Sequence, residues 1–489
     1  MPGLIDAHVH IESSLLAPSE YARLVLRHGT TTVIADPHEI ANVCGAPGIE
    51  YMLTEGARTP LDILVMLPSC VPSTPLDAGG AVLTAADLAR FRGRQGVIGL
   101  AEVMNVPGVL AGDEDLRAKM DLFEVVDGHA PFLSGKDLNA YISAGIQSDH
   151  ECTTLAEARE KLLRGMYIMV REGSTEKNLK DLLPLVNACT ASRCCFATDD
   201  RHVDMLAGEG HIDDCVRKAV ASGLEVEQAL RMATLSAAGR FGLHDRGALA
   251  PGRLADFCVV DDLERFHVLR TFKRGVEVID AGYRPPVCPA APLHARVPES
   301  HEIRIAGRGE ARVIGIVPGQ ITTRDLRYPV DGGDIPDLGR DILKAVVTDR
   351  YRAGGSGVGL VHGFGLQEGA IAGSVSHDSH NIVAVGVGDA DIVRAIGEVV
   401  RIGGGLVVVS GGEMTVLPLE CAGLMSALPY DEVVRRLAAL EEHARRLGSV
   451  ENPFMYLSFL ALTVIPDLRV TERGAFDVRA FTDVSLFCE

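Results

Sequence analysis

Between residues 4 and 200 the chain repeats one unit eight times, a short apolar run followed by an amphipathic stretch. The runs are LIDAHVH (4–10), TTTVIADPHE (30–39), LDILVMLPSC (61–70), VIGLAEVMN (97–105), LFEVVDGHA (122–130), AGIQSDHE (144–151), MYIMVREGS (166–174) and RCCFATDD (193–200). Stretches between them, such as PSEYARLVLRHG and TLAEAREKLLRG, carry apolar residues at helical spacing. Strands alternating with helices predict a parallel sheet, and eight strands is the number that closes a (β/α)8 barrel. The expected fold class is therefore α/β, with the barrel over residues 1–240. At 489 residues the chain is too long for one core. Residues 241–285 are rich in glycine and short strands and read as a small β-domain. The Pro-rich residues 286–300 read as a linker, and 301–489 as a second, α+β domain. In that last part ARVIGIVPG and GLVVVSGGEMTVL read as strands, and DADIVRAIGEVVRI and DEVVRRLAALEEHARRL as amphipathic helices.

Polar residues gather at the C-terminal ends of the eight runs, which in such a barrel is the catalytic face. His8 and His10 are two apart on a strand, so their side chains share a face. Taken alone, the pair reads equally well as two partly buried histidines. The other strand ends change that balance: Glu102 ends the fourth run, His129 the fifth, His150 the sixth, and Asp199 and Asp200 the eighth. Neutral imidazoles and carboxylates are the donors that a divalent metal of borderline hardness accepts. Together they suffice for two ions sharing a bridging carboxylate. The loop after the second run supplies Asp36, His38 and Glu39. They could simply build a turn and a helix start, but on a catalytic rim they could also supply or relay a proton. Arg171 and Glu172 read equally as an ion pair or as substrate contacts. Ser69 and Cys70 read as lining. In SVSHDSHN, spacing alone makes His377, Asp378 and His380 a solvated loop rather than a metal site.

A net charge of -19 argues against nucleic acid or an anionic membrane as partner. No apolar stretch reaches the length of a membrane span. The 11 cysteines are scattered and form no CxxC pair, which reads as reduced cytoplasmic thiols without a disulfide framework.

The rim pattern, HxH after strand 1, an acid after strand 4, His after strands 5 and 6 and Asp after strand 8, resembles the amidohydrolase superfamily. Within it, PGLIDAHVHIESS, ADPHEIANVCG, LAEVMN, DGHAPFLSGKDLNAYISAGIQSDHECTT, TDDRH, GSVSHDSHNIVAVG and NPFMYLSFLALTVIP closely resemble the adenine deaminase family of bacteria and archaea. The resemblance implies two divalent metals, Mn or Fe(II), with Zn also compatible. It implies His8, His10 and Asp199 on one ion, His129 and His150 on the other, and Glu102 bridging them where many relatives use a carboxylated lysine. The implied reaction is hydrolysis of adenine to hypoxanthine and ammonia by a metal-bound hydroxide. Glu39, with His38 beside it, would act as acid, and Asp199 would take the proton of the attacking water. Asp36, Arg171, Glu172, Asp200, His377, Asp378 and His380 are the implied substrate contacts. Adenine is the implied partner, with no nucleic acid or membrane, and a homo-oligomer (a dimer) is expected. The alternatives are another amidohydrolase acting on a cyclic amide or N-acetyl group, or a metal-free, non-enzymatic scaffold. One departure stands out. The superfamily's small β-domain usually has an N-terminal half before the barrel, and here only Met1 precedes PGLIDAHVH. The expectation is that coding sequence continues upstream in frame.

Overall fold

Every one of the eight apolar runs forms a strand in the computed structural model, which describes residues 1–280, 282–290, 293–331 and 335–488. Strands β1 (Leu4–Val9), β2 (Thr30–Ala35), β3 (Asp62–Leu67), β4 (Val97–Val103) and β5 (Val126–Gly128) form one parallel sheet in chain order. Strands β6 (Ser148–Asp149), β7 (Tyr167–Arg171) and β8 (Cys194–Ala197) form another. Two junctions close the ring. At one, Asp199 N–H donates to the His8 carbonyl at 3.0 Å and His10 N–H to the Asp199 carbonyl at 3.2 Å. At the other, Gln147 N–H donates to the Val126 carbonyl at 3.1 Å. The expected barrel is thus the one that forms.

Alternation along the strands builds two layers. Ile5, Ala7, Met169, Cys195 and Ala197 fill one core with Ile34, Met66 and Ala101. Leu4, Ile168, Val170, Cys194 and Phe196 pack in another with Ile212, Cys215, Val216 and Ala229 of the covering helices. Strict alternation would place His8 on the face of Leu4 and Asp6. The β1–β2 register shifts between Asp6 and Val9, and the β4–β5 register between Leu100 and Val103. Such irregularities re-aim side chains, and here they bracket His8 and Glu102.

A small antiparallel sheet follows the barrel: β9 (Phe257–Val260), β10 (Val268–Lys273) and β11 (Val276–Glu277). Phe257 and Phe272 stack across it with ring centroids 4.3 Å apart. The first residues of the chain run along β9, with Pro2 bridged to Phe257 and Cys258 N–H donating to the Met1 carbonyl at 3.0 Å.

The chain divides into two compact units, one of residues Met1–Ala41, Ala46–Val71 and Leu83–Val287, the other of Asn42–Gly45, Pro72–Val82 and Cys288–Glu489. The second unit is built on an eight-stranded sheet in the order β13-β12-β15-β14-β17-β16-β18-β19. Its strands are β12 (Arg308–Ile316), β13 (Thr323–Asp331), β14 (Ile342–Thr348), β15 (Ser356–His362), β16 (Ala370–Gly373), β17 (Ile382–Gly386), β18 (Gly405–Ser410) and β19 (Glu413–Pro418). The helix Asp389–Ile402 buries Ile392, Ala395, Ile396 and Val399 against β16, β17 and β18. The helix Tyr430–Arg446 buries Val433, Leu437 and Leu440, and its charged face holds i,i+3 and i,i+4 pairs such as Arg436 with Glu432.

The described part of the Pro-rich segment 286–300 contains no helix or strand. Ala291 and Pro292 lie outside the described residues. The expectation of no disulfide is corrected at one place: Cys288 and Cys421 are bonded, 133 residues apart, while nine other cysteines are free. Chain folding creates this pair, since Ala422 N–H donates to the Pro289 carbonyl at 3.2 Å, and no spacing rule could reveal it. Among the described residues no helix is long and apolar enough to cross a membrane.

Candidate metal centre

The ends of β1, β5, β6 and β8 gather around Glu102 on β4. His8 Nε2 and His10 Nε2 lie 3.1 Å apart, and both face Asp199 Oδ1, at 3.4 and 3.1 Å. Glu102 Oε1 lies 3.7 Å from the first nitrogen and 3.3 Å from the second. The other oxygen, Oε2, faces His129 Nδ1 at 2.7 Å and His150 Nε2 at 3.3 Å. Atoms bound at tetrahedral positions about 2.1 Å from one cation lie about 3.4 Å apart. These spacings are of that size, and the donor set of imidazoles and carboxylates is one that divalent transition ions accept. The residues therefore fit a pair of ions, with one Glu102 oxygen turned to each side. His10 Nδ1 is held by the Asp36 carbonyl at 3.1 Å, and His8 stacks on His150 with centroids 4.1 Å apart.

The electrostatics match that chemistry. Burial works against ionising Glu102, but His150, His129 and His10 hold it well below the ordinary carboxylate range. Asp199 is likewise held low against its burial, by His10, His8, His150 and Arg171. Burial would lower the histidines, yet Asp199 and Glu102 raise His10 and Glu102 raises His150 to about 10. Asp199 sits in the left-handed region at φ 55. That conformation costs a non-glycine residue roughly 1–3 kcal/mol and concentrates at functional sites. It turns Asp199 to the histidines, while Asp200 accepts a hydrogen bond from the Ser13 hydroxyl.

The loop after β2 joins its two readings. Asp36 Oδ1 accepts the His38 backbone N–H at 3.0 Å, starting the helix His38–Cys44. Asp36 Oδ2 lies 3.0 Å from His38 Nδ1, which is 3.5 Å from Glu102 Oε1, and His38 Nε2 lies 3.3 Å from Glu39 Oε1. His38 thus connects Glu39 to the centre. Arg171 and Glu172 do not pair with each other. Arg171 joins Glu151 and Asp199, and Glu172 pairs with Lys218 at 3.0 Å. The Ser69 hydroxyl donates to the Glu102 carbonyl at 2.5 Å, so it braces the strand end. His377, Asp378 and His380 belong to the second unit and are buried, which corrects the solvated-loop reading. His377 stacks on Phe459 at 4.6 Å, and Ser376 N–H donates to His380 Nδ1 at 3.2 Å.

Two participants were not picked out from the sequence. Glu151, beside His150, lies within reach of both imidazoles on its side. Lys161 is fully buried and donates to the Ala130 carbonyl at 2.6 Å, Asp149 Oδ2 at 3.0 Å and Glu157 Oε1 at 2.7 Å. It ties together the residues that follow His129 and precede His150. Asp149 stays ionised, at about 2, because Lys161 outweighs burial. A lysine spaced as part of an amphipathic helix gives no sign of this in the sequence.

Comparison with known proteins covers both parts of the chain. The amidohydrolase family model matches residues 1–278, and the adenine deaminase C-terminal domain model matches 320–482. A protein of Methanoculleus marisnigri described as adenine deaminase is 87% identical, covering 100% of this chain and 94% of that one. A protein of Methanoregula boonei with the same description is 61% identical, covering 100% and 88%. Among solved structures, the crystal structure of an adenine deaminase matches 57% of this chain and 86% of that one, at 16% identity and a TM-score of 0.41.

Proposed function

Because the chain belongs to the amidohydrolase family and, within it, to the adenine deaminases, we propose that it hydrolyses adenine to hypoxanthine and ammonia at the cluster around Glu102. The observation that carries this reading is the division of Glu102, with Oε1 turned to His8 and His10 and Oε2 to His129 and His150. His8, His10 and Asp199 would hold one divalent ion, His129 and His150 the other, and Glu102 both. Such ions lower the pKa of a bound water towards neutrality, which is the one contribution asked of them.

The remaining work falls to the chain. Asp199 takes a proton from the water that adds to C6. Glu39, connected to the centre through His38, protonates N1, so negative charge does not build up on the ring. As the C6–N bond breaks, the proton on Asp199 passes to the departing amine and ammonia leaves. Glu39 recovers a proton as the C6 hydroxyl becomes the carbonyl of hypoxanthine. Asp36 orients His38. Arg171 holds Asp199 Oδ2 at 2.8 Å and so leaves Oδ1 to the histidines. Arg171, Glu172 and Asp200 are kept as candidate substrate contacts for mutational test.

Carboxylates next to imidazoles favour Mn(II) or Fe(II), with Zn(II) also accepted. A cytoplasmic location and a homodimer are the setting and assembly to test, by fractionation and sedimentation. The cyclic-amide and N-acetyl alternatives lose ground because the matched relatives cover the whole chain. The metal-free scaffold loses ground because every rim position carries a donor. The deciding measurement is ammonia release from adenine after chelation and reloading with each metal in turn. Adenine left intact by every loaded form, with dihydroorotate or hydantoin consumed, would overturn the assignment.

A further inference from the structure

The two sides of Glu102 are unequal if the motif residues alone are counted. On one side four atoms are available: His8 Nε2 and His10 Nε2, 3.1 Å apart, each face Asp199 Oδ1 and Glu102 Oε1 at 3.1 to 3.7 Å. On the other side the motif supplies three: His129 Nδ1, His150 Nε2 and Glu102 Oε2. A buried carboxylate, that of Glu151, lies beside the same two imidazoles. Glu151 Oε1 lies 3.5 Å from His150 Nε2 and 3.8 Å from His129 Nδ1. These distances are at or beyond the limit of a direct hydrogen bond. They bracket the spacing of about 3.4 Å expected between atoms sharing one cation at tetrahedral positions.

We propose that Glu151 is a ligand of the ion on the His129–His150 side, so that each ion of the pair takes two imidazoles and two carboxylates. The proposal rests on the two-metal reading above. It adds a carboxylate where a three-donor site would favour tetrahedral Zn(II) with one open position, and so moves preference towards Mn(II) or Fe(II). Arg171 fits this role. Its guanidinium bonds both oxygens of Glu151 and also Asp199 Oδ2 at 2.8 Å. It therefore spans the two sets and fixes the direction of both carboxylates. A simple salt-bridge partnership of Glu151 with Arg171 is the competing explanation, and it makes a different prediction.

The experiment is Mn(II) titration of the full-length apoprotein, followed by metal analysis and electron paramagnetic resonance. Wild type should hold two Mn(II) per chain with a spin-coupled spectrum. Glu151→Gln should weaken the second ion by about tenfold or more, at least the loss seen when outer-shell partners are removed. Its spectrum should become that of an isolated ion. Glu151→Asp keeps a carboxylate and should recover part of the second affinity, which guards against a folding defect in the first variant. Arg171→Met should retain both ions. If Glu151→Gln binds two coupled ions as tightly as wild type, the proposal fails and the two-metal reading stands. If Arg171→Met loses the second ion as fully as Glu151→Gln, the salt-bridge explanation replaces it. If wild type itself binds no pair, the two-metal reading fails and takes this inference with it.

Discussion

Asp199 and Asp200 are adjacent and chemically alike, and one backbone angle separates their environments. At φ 55 the chain turns left-handed, Asp199 meets His8 and His10, and Asp200 meets Ser13. Glu39 is separated from the centre by His38 alone. Glu39→Gln should therefore lower kcat by about 10²–10⁴, the usual range for a lost general acid, with a much smaller change in KM. Steady-state ammonia assays decide, and a change confined to KM would make Glu39 a binding group. Asp199→Asn and Glu102→Gln should abolish turnover and leave the circular dichroism spectrum intact. Full activity in either variant would remove that residue from the reaction. The residue types and strand ends of this site were legible in the sequence, because HxH, LAEVMN, DGH, SDH and TDD each close an apolar run. The direction of each side chain was not legible. The shifted registers near His8 and Glu102 leave no compositional mark, and Glu151 stayed hidden because strict alternation would point it away from His150.

At the scale of elements, alternation located all eight barrel strands but overstated two. The runs at 122–130 and 144–151 yield strands of only 3 and 2 residues. Side chains replace the missing ladder: Arg240 reaches the Val126 carbonyl at 3.0 Å, Gln147 Oε1 at 2.8 Å and Ser148 Oγ at 3.3 Å, and pairs with Asp127. Such a network between residues over 90 apart cannot be read from periodicity. Arg240→Met leaves the Asp127 carboxylate buried without its partner, which typically costs 3–5 kcal/mol, roughly, in urea denaturation. A loss below about 1 kcal/mol would mean the β5–β6 junction closes without it. The helix Ile212–Ala221 carries a pH-dependent counterpart. Burial pushes Asp213 up, but hydrogen bonds from His28 and the His211 backbone, with Arg217, hold it below its ordinary value. A depressed folded pKa gives stability that is present above the unfolded value, about 3.9, and lost as pH falls through the folded one. Asp213→Asn should thus destabilise the protein at pH 7 and cost progressively less below about pH 4. Denaturation midpoints of variant and wild type that run parallel down to pH 3 would contradict this.

For the whole molecule, composition divides the chain into a βα-alternating part, a Gly-rich part, a Pro-rich part and a second αβ part, and the folded chain forms two compact units. Two features escaped. Segments 42–45 and 72–82 group with the second unit although they lie within the barrel sequence, and Cys288 finds Cys421 only in the folded chain. Both depend on long-range packing, to which local pattern is blind. The candidate metal centre is long-range in the same sense. Its donors come from positions between 8 and 199, so an unfolded chain cannot hold them together. Ions bound there would stabilise the native state by mass action, by about 2.7 kcal/mol for each site at a free concentration 100 times its dissociation constant. Chelation should accordingly lower the thermal midpoint by several degrees, and added Mn(II) should restore it. Glu102→Gln replaces one of the two oxygens that face the two sides and removes the charge they share, so its midpoint should respond weakly to either treatment. Equal midpoints for chelated and Mn(II)-loaded wild type, measured by calorimetry, would show that the cluster holds its charges together without an ion.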